Sequence, residues 1–251
     1  MTHSDKARAF AALHIPGNPL VLFNAWDAGS ARAVADSGAR AIATGSSSVA
    51  TANGFADGEE LPMEFAIANA QRIAGSVDLP VTVDFEGGYA ADPEEAAANV
   101  ARLAATGVVG CNFEDQVVGG AGLYSIEEQA RRIRAIRGAL GSDFFINLRT
   151  DLFLKAEASG HDVALADAAI ERGKAYADAG GSGFFIPGLG DLALVERICR
   201  VVPLPVNAMH FPGAPSRQQW ADAGIARVSH GPFPHMDLMK KLTEMAREAL
   251  I

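Results

Sequence analysis

The chain has 251 residues, of which 49% are hydrophobic and 20% are charged, which is typical of one large globular domain or two small ones. Its net charge of −9 argues against nucleic acid or an anionic membrane as a partner, because both would repel it. Two cysteines are too few for a disulfide framework or a zinc cluster, and no apolar run is long enough to predict a membrane span. We therefore expect a soluble, cytoplasmic protein.

Short apolar runs alternate with segments of helical periodicity along the whole chain. The first predicted element is a helix around residues 4–13. Eight strand candidates follow, in the order PLVLFNAW, RAIATGS, LPVTVDFE, GVVGCNFED, DFFINLRTD, GSGFFIPG, LPVNAMH and IARVSHG. Their nearly continuous apolar character is typical of parallel strands that are covered on both faces.

The segments between the strands carry helix signals. In PEEAAANVARLAATG, Pro93 lies just inside the predicted start and Gly107 follows the predicted end. Ser125 precedes Glu128 by three residues, which is the capping-box pattern at the start of the next helix. A further amphipathic stretch, DVALADAAIERGKAYADAG, predicts another helix in the second half of the chain.

Eight strand–helix units without a linker predict a single (β/α)₈ TIM-type barrel over residues 1–251, with the leading helix as an extra element at its base. A doubly wound open sheet is the competing arrangement. It usually has fewer strands and often begins with a G-x-G-x-x-G fingerprint, which is missing from NAWDAGSAR.

Acidic residues follow the third and fourth predicted strands, at the ends where such barrels hold their catalytic groups. Asp84 and Glu86 lie at the end of the apolar run in VTVDFEGGYA and would share one face of a continuing strand, while Glu114 ends the next strand. Carboxylates packed in a partly dry site need a compensating cation. Oxygen ligands without a Cys or His cluster favour Mg²⁺ or Mn²⁺.

Arg149, at the end of the fifth predicted strand, offers a planar fork that suits a carboxylate or phosphate group. A purely structural interpretation competes with this one, since an acidic strand end can be a solvated turn and Arg149 can simply pair with Asp151. Three acids and an arginine at consecutive strand ends favour a metal and anion site.

The motifs PVTVDFEGGYA, GCNFEDQ and INLRTD, in this order and spacing, resemble the isocitrate lyase/phosphoenolpyruvate mutase superfamily. The similarity extends from NAWDAGSARAVADSGARAIATGSSSVA to ARVSHGP and so covers nearly the full chain. It implies a (β/α)₈ barrel that binds Mg²⁺ and a small anionic 2-oxo acid. It also implies a homo-oligomer, a dimer or tetramer, in which the last helix crosses to a neighbouring subunit. The amphipathic end HMDLMKKLTEMAREALI suits that role or an ordinary eighth helix equally well.

The resemblance also implies roles for individual residues. Asp84 would be the direct metal ligand, with Glu86, Glu114 and Asp57 also near the metal. The implied substrate-binding residues are Ser46, Ser47, Ser48, Arg149 and Asn207. Ser46 and Arg149 are also candidate catalytic residues.

The loop after the fourth strand departs from the superfamily pattern. Lyases of the isocitrate and methylisocitrate type carry K-K-C-G-H there, whereas QVVGGAGLYSIEE has no Cys, Lys or His. The longer phosphoryl-binding loop of phosphonomutases is missing too. Tyr124 is the remaining candidate proton carrier in the loop, although an aromatic residue before a helix can also be structural. Cys111 is interpreted as a small core residue, and His210, His230 and His235 as solvated or supporting residues.

Together these features predict a Mg²⁺-dependent lyase that cleaves a C–C bond in a small 2-oxo or 2-hydroxy (di)carboxylate through an enolpyruvate-like intermediate. Three alternatives stay open. They are C–P bond chemistry by a phosphonomutase or phosphonopyruvate hydrolase, a weakly catalytic 2-oxo-acid-binding protein, and a phosphate-binding isomerase barrel that needs no metal.

Overall fold

A computed structural model describes residues 2–251 and contains one parallel sheet of eight strands. The strands are β1 (Leu20–Leu22), β2 (Ile42–Ala43), β3 (Val81–Asp84), β4 (Gly110–Glu114), β5 (Phe145–Arg149), β6 (Gly183–Phe185), β7 (Val206–Met209) and β8 (Arg227–Ser229). Their spatial order is β1-β8-β7-β6-β5-β4-β3-β2. A parallel bridge between Ala25 and Thr44 joins the two outer strands and closes the sheet into a barrel. The predicted (β/α)₈ barrel is confirmed, and the doubly wound alternative is wrong because its sheet would stay open.

Helices surround the barrel. They are α1 (His3–Ala12), α2 (Ala28–Asp36), α3 (Ser46–Ala52), α4 (Met63–Ala74), α5 (Pro93–Ala104), α6 (Ile126–Leu140), α7 (Leu152–Lys155), α8 (Val163–Asp178), α9 (Leu192–Val201), α10 (Arg217–Asp222) and α11 (Phe233–Ala249), with a 3₁₀ turn at Ala158–Gly160. No helix among residues 2–251 has both the length and the apolar character that crossing a bilayer requires.

The predicted helix signals act as expected. Pro93 is the first residue of α5, and the Asp92 side chain caps that helix by accepting from the backbone N–H groups of Glu94 and Glu95, each at 3.0 Å. Ser125 and Glu128 form the predicted capping box at the start of α6, with bonds of 3.1 and 3.2 Å. Local sequence therefore sets where both helices begin.

Helix α1 closes the base of the barrel, opposite the C-terminal ends of the strands. The Phe10 ring meets Phe145, the first residue of β5, edge-on at 5.3 Å, and the His14 ring stacks on Phe145 at 4.2 Å. The His14 ring nitrogen Nδ1 lies 2.9 Å from the carbonyl oxygen of Phe10. Burial, with a smaller contribution from Arg227, lowers the pKa of His14 to about 3, so the packed ring is neutral at pH 7.

Candidate active site

A cavity of about 240 Å³ opens at the C-terminal mouth of the barrel, where active sites of this fold lie. It is lined by Asn24, Gly45, Ser46, Ser47, Asp57, Asp84, Asn112, Arg149, Leu154, Phe185, Pro187, Met209, Ser229, Gly231 and Pro232. This volume is below the roughly 300–1,000 Å³ of cavities that take drug-sized ligands. The cavity therefore suits a small metabolite.

Asp84 is the last residue of β3 and lies at the floor of the mouth. Its Oδ2 atom accepts hydrogen bonds from the backbone N–H and the hydroxyl of Ser46, at 3.3 and 3.2 Å. Its Oδ1 atom is buried and has no hydrogen-bond partner among the described residues. A buried carboxylate oxygen without a donor is costly unless a cation or another polar group meets it.

The backbone geometry that positions Glu86 differs from the strand geometry that the sequence predicted. Strand β3 ends at Asp84, and Glu86 adopts a left-handed backbone with φ of 50°, so strand alternation does not place its side chain. Instead, its Oε2 atom accepts from the backbone N–H groups of Gly58 and Glu59, at 2.9 and 2.8 Å. A left-handed conformation at a residue other than glycine costs on the order of 1–3 kcal/mol and is often found at functional sites.

Burial is the largest cause of the raised pKa of Glu86, which lies at about 8, and the charges of Asp84 and Asp57 add to it. Burial and Asp84 also raise the pKa of Asp57, which lines the cavity from the loop after α3. Asp57, Glu86 and Glu114 line a second pocket that adjoins the cavity. The predicted convergence of acids is therefore present, although through a turn and a loop as well as through strand ends.

Arg149 lies between the acids. Its Nε and Nη2 atoms bind the Asp151 carboxylate at 2.6 and 3.0 Å, its Nη1 atom lies 3.0 Å from Glu114, and Asp84 is 3.9 Å away. Burial alone would lower the pKa of Arg149, but the surrounding carboxylates outweigh it and raise the pKa. The proposed pairing with Asp151 is thus present, and Arg149 lines the cavity as well.

Glu114 and Asp115 are neighbours in sequence but do different things. Burial raises the pKa of Glu114, which Arg149 only partly offsets. Asp115 is fully buried and points away from the cavity, where it accepts from the Tyr176 hydroxyl at 2.8 Å and pairs with Arg172 at 3.1 Å. Glu114 therefore lies with the other acids of the adjoining pocket, whereas Asp115 bonds within the barrel framework.

The acids suit a divalent ion bound partly through water. Within residues 2–251, no group of three or more His, Cys, Asp or Glu side chains forms a ready-made metal cage. Mg²⁺ usually keeps several waters and is held by one or two carboxylates. The free Oδ1 atom of Asp84 fits one direct ligand, and Glu86, Glu114 and Asp57 fit acceptors for hydrogen bonds from metal-bound water.

The other predicted residues divide into two groups. Ser46 and Ser47 line the cavity. Ser48 is buried outside the cavity lining, and its hydroxyl has no partner among the described residues. Asn207 is also buried and lies beneath the cavity floor, where its Nδ2 atom donates to the Ser229 hydroxyl at 3.3 Å. The structure therefore brings only the first two serines to the cavity.

Tyr124 is not among the cavity residues. Its ring lies over the guanidinium of Arg132 at 4.3 Å, and it lines a separate pocket together with Glu59 and Gln116. This placement agrees with the structural alternative for Tyr124. Cys111 is fully buried in the core, as expected, and burial raises the pKa of its thiol. The rings of His210 and His230 lie 4.6 Å apart at a tilt of 33°, and neither lines the cavity.

Two buried side chains on α6 hold the acids in place, and sequence analysis missed both. Arg132 donates from Nη2 to the carbonyls of Gly87 and Ala90, at 2.5 and 2.7 Å, and from Nη1 to the Gln129 side chain at 2.7 Å. Gln129 in turn donates to the carbonyl of Glu114 at 3.0 Å. We call Gln129 and Arg132 the α6 clamp, because together they fix the turn after Glu86 and the end of β4.

A signal for the α6 clamp exists in the sequence. Gln129 and Arg132 share the helical spacing of the buried residues Ile133 and Ile136, so periodicity places both polar side chains on the buried face.

Another buried cation, Arg227, lies beneath the cavity floor. Its Nε atom donates to the Ser229 hydroxyl at 3.1 Å and its Nη2 atom to the Asn112 side chain at 3.3 Å. Burial lowers the pKa of Arg227 to about 9, although the charge of Asp84 opposes this effect. The barrel interior is therefore polar below the cavity, which the apolar strand pattern did not predict.

A (β/α)₈ barrel with acids and an arginine at its C-terminal mouth has the arrangement that is typical of barrel enzymes. The family model for phosphoenolpyruvate phosphomutase matches residues 10–250, and the chain belongs to this family. It is an enzyme of the isocitrate lyase/phosphoenolpyruvate mutase superfamily, and the resemblance predicted from its motifs is confirmed.

Similar proteins carry names from both branches of the superfamily. An uncharacterized protein of Mycobacterium tuberculosis is 34% identical over 228 residues, which cover 90% of this chain and 83% of the relative. The 2-methylisocitrate lyase of Escherichia coli (strain K12) is 29% identical over 219 residues, covering 83% and 71%. A crystal structure named "putative phosphonomutase" from Burkholderia cenocepacia J2315 is 45% identical, with a TM-score of 0.96 and coverage of 99% and 100%.

Proposed function

We propose that the protein is a Mg²⁺-dependent lyase that cleaves a C–C bond in a small 2-oxo or 2-hydroxy (di)carboxylate through an enolpyruvate-like intermediate. The observation that carries this proposal is the unpartnered Oδ1 atom of Asp84, buried beside further acids in a cavity of metabolite size. Mn²⁺ would fit the same oxygen donors.

The side chains of the mouth support distinct tasks. A bound divalent ion supplies Lewis acidity, which polarises a carbonyl group and stabilises an enolate. Asp84 would hold the ion directly, and Glu86, Glu114 and Asp57 would orient its waters. Arg149 would direct a guanidinium N–H toward the substrate anion, and Ser46 with Ser47 would donate to its carboxylate.

C–C chemistry agrees with the cavity better than C–P chemistry does. Among the described residues that line the cavity, Arg149 is the one cationic side chain, and two carboxylates already contact it within 3.0 Å. A phosphoryl group carries more charge and is usually met by several cationic donors. One observation favours C–P chemistry instead: the crystal structure that is 45% identical is named "putative phosphonomutase". Release of inorganic phosphate from phosphonopyruvate would favour that alternative.

Thermal unfolding tests the proposal directly, with Mg²⁺, with oxalate, with both and with neither. Oxalate resembles the enolate of pyruvate, and a ligand at a hundred times its dissociation constant stabilises a protein by about 2.7 kcal/mol. We expect a rise in the unfolding midpoint that needs Mg²⁺ and oxalate together. Asp84→Asn should remove this joint effect and leave the chain folded.

The matched control is Asp178→Asn, which removes an exposed carboxylate on α8. It should keep the joint effect of Mg²⁺ and oxalate. A joint effect that survives in Asp84→Asn, or that is missing from the unchanged protein, would contradict the proposal.

We also propose that the protein forms a homo-oligomer through α11. Among its residues, only Pro234 and His235 are buried, while its apolar side chains Met236, Met239, Leu242 and Met245 are 39–56% exposed. A groove lined by Phe23, Trp26 and Leu238 lies at the start of the same helix. A contiguous apolar face on a projecting helix is typical of a protein–protein contact.

A further inference from the structure

The lining of the cavity is divided by charge. Its ionisable residues are Asp57, Asp84 and Arg149, which all come from the β2–β5 side of the mouth. The rest of the lining includes apolar residues from α7 and from the ends of β6, β7 and β8. Two of them adjoin Arg149, since Leu154 lines the neighbouring pocket with it and Phe185 is its register partner. The full set is Leu154, Phe185, Pro187, Met209 and Pro232. We call these five residues the apolar wall.

The polar side chains next to the apolar wall are already engaged within the barrel. The Ser229 hydroxyl accepts from Arg227 and exchanges hydrogen bonds with Asn207. The Asn24 side chain donates to the carbonyl of Thr44 at 2.7 Å and accepts from the N–H of Gly231 at 2.9 Å. These groups serve the barrel, so they offer little to a charged ligand group on that side.

Other cations are placed where they do not serve the apolar wall. Arg227 is buried beneath Ser229 and does not line the cavity. Lys155 does not line the cavity; it lines the neighbouring pocket, where Leu154, Glu86 and Glu114 lie beside it. Arg149, which adjoins the apolar wall, already binds Asp151 and Glu114 and, in the proposed function, also meets the acid end of the substrate. A second negative charge against the apolar wall would therefore lose its water without gaining a free partner, which is strongly unfavourable.

We infer that the substrate is a 2-oxo or 2-hydroxy acid whose remote part is an uncharged alkyl group, and that the apolar wall binds this group. The inference rests on the proposed function, which places the acid end at Asp84 and Arg149. It narrows the substrate class, because a second carboxylate or a phosphoryl group at the remote end is disfavoured. The cavity of about 240 Å³ limits the alkyl group to a short chain.

The test compares ligands that differ only at the remote end. Dissociation constants are measured by calorimetry on the full chain with Mg²⁺, for pyruvate, 2-oxobutyrate and 2-oxopentanoate. Each added methylene should tighten binding about fourfold, which corresponds to the free energy of burying one CH₂ group. The decisive pair is 2-oxoglutarate and 5-methyl-2-oxohexanoate, in which an isopropyl group replaces a carboxylate of similar shape. The apolar ligand should bind about tenfold more tightly or better, since the carboxylate would be left unpaired.

Two variants check that the apolar wall causes this preference. Leu154→Arg adds a cation to the wall at a position that is 44% exposed, so folding should tolerate it. It should shift the preference toward 2-oxoglutarate by at least about tenfold. Val201→Arg makes the same change at a 42% exposed position outside the cavity lining and should leave the preference unchanged.

The outcomes separate this inference from the proposed function. If oxalate binds with Mg²⁺ but 2-oxoglutarate binds as tightly as its apolar counterpart, the inference is wrong and the proposed function stands. If folded Leu154→Arg leaves the preference unchanged, the wall is not the binding surface and the inference is also wrong. If neither oxalate nor any 2-oxo acid binds with Mg²⁺, the proposed function fails and the inference fails with it.

Discussion

At Arg149, one guanidinium group contacts three carboxylates, with two bonds to Asp151, one contact at 3.0 Å to Glu114 and one at 3.9 Å to Asp84. The bidentate pair with Asp151 sets the plane of the guanidinium. The contact with Glu114 reduces the repulsion among the acids of the mouth. Arg149 therefore holds the acids of the mouth in a fixed arrangement, and in the proposed function its plane would decide where a substrate anion binds.

Arg149→Lys should weaken Mg²⁺-dependent oxalate binding by roughly 10- to 100-fold, because a lysine cannot keep the fork with Asp151 and also direct an N–H to the ligand. The size corresponds to about 1.5–3 kcal/mol for a hydrogen bond to a charged group. Calorimetric titration with oxalate at saturating Mg²⁺ measures it.

The control for Arg149→Lys is Arg197→Lys. Arg197 forms a nearly identical fork with Asp167, at 2.7 and 3.0 Å, but on the exposed surface between α9 and α8. Its replacement should leave oxalate binding unchanged. Equal binding by the Arg149→Lys protein would remove Arg149 from the substrate site.

The sequence predicts which residues meet at the mouth of the barrel better than it predicts the local backbone geometry that positions them. Asp84, Glu114 and Arg149 each end a strand, so the barrel topology alone brings them to one mouth. The position of Glu86 depends on a left-handed turn and on donors from the loop at Gly58, more than twenty-five residues away in sequence. The burial of Asn207 depends on its pairing with β8. Contacts of that range are not encoded in a local pattern.

At the scale of elements, α6 couples two strand ends that the sheet alone would leave less restrained. The α6 clamp reaches Gly87 and Ala90 beyond β3 and the carbonyl of Glu114 at the end of β4. The guanidinium of Arg132 is enclosed by the rings of Phe113 and Tyr124, at 4.6 and 4.3 Å. Such enclosure favours a cation at a site that burial would otherwise disfavour.

Arg132→Met should destabilise the fold by roughly 2–4 kcal/mol and weaken Mg²⁺ binding at least about tenfold, because it releases two carbonyls and the turn that carries Glu86. Tyr124→Phe keeps the ring over Arg132 and should leave both properties unchanged. Chemical denaturation measures the stability, and Mg²⁺ titration in the presence of oxalate measures the affinity.

Arg137→Met separates a positioning effect from general loss of stability. Arg137 lies on the same helix and also donates to backbone carbonyls, those of Gly180 at 2.7 Å and Phe144 at 2.9 Å, away from the mouth. Arg137→Met should lower stability without changing Mg²⁺ affinity.

A loss of activity in Tyr124→Phe with intact metal binding would support Tyr124 as a proton carrier.

At the scale of the whole molecule, the base of the barrel contains a buried titratable group. The neutral ring of His14 packs there between aromatic rings, and its pKa is lowered to about 3 from the usual 6.5. The unfolded chain takes up a proton at His14 near pH 6.5, whereas the folded chain resists this until about pH 3. The contribution of His14 to stability is therefore complete above pH 6.5 and is lost as the pH falls toward 3.

His14→Phe should flatten the acid side of the stability curve by up to about 1.4 kcal/mol per pH unit below pH 6.5. Phenylalanine keeps the packing on Phe10 and Phe145 but cannot take up a proton. Denaturation curves between pH 4 and 8 measure the difference, and His161→Phe, in the loop before α8, serves as the control. Identical slopes for His14→Phe and the unchanged protein would show that His14 is protonated within the folded state.

In the proposed homo-oligomer, α11 forms the contact between subunits. Leu242→Asp places a charge on its exposed apolar face and should shift the protein to a smaller species in light scattering coupled to size exclusion. Lys241→Gln changes the net charge by the same amount at an exposed position on the opposite side of the helix, and should not change the mass. An unchanged mass in both variants would mean that α11 is not the contact.

The closure of the barrel is uneven. Strands β4 and β5 pair over five residues, whereas β1 and β2 meet through the single Ala25–Thr44 bridge. The Asn24 side chain, which binds Thr44 and Gly231, reinforces this junction from within the cavity lining. Few hydrogen bonds must break for the barrel to part there, so amide protons along this seam should exchange with solvent sooner than those of β4 and β5. A molecule that enters the mouth therefore contacts, at Asn24, the junction of the barrel that opens most readily.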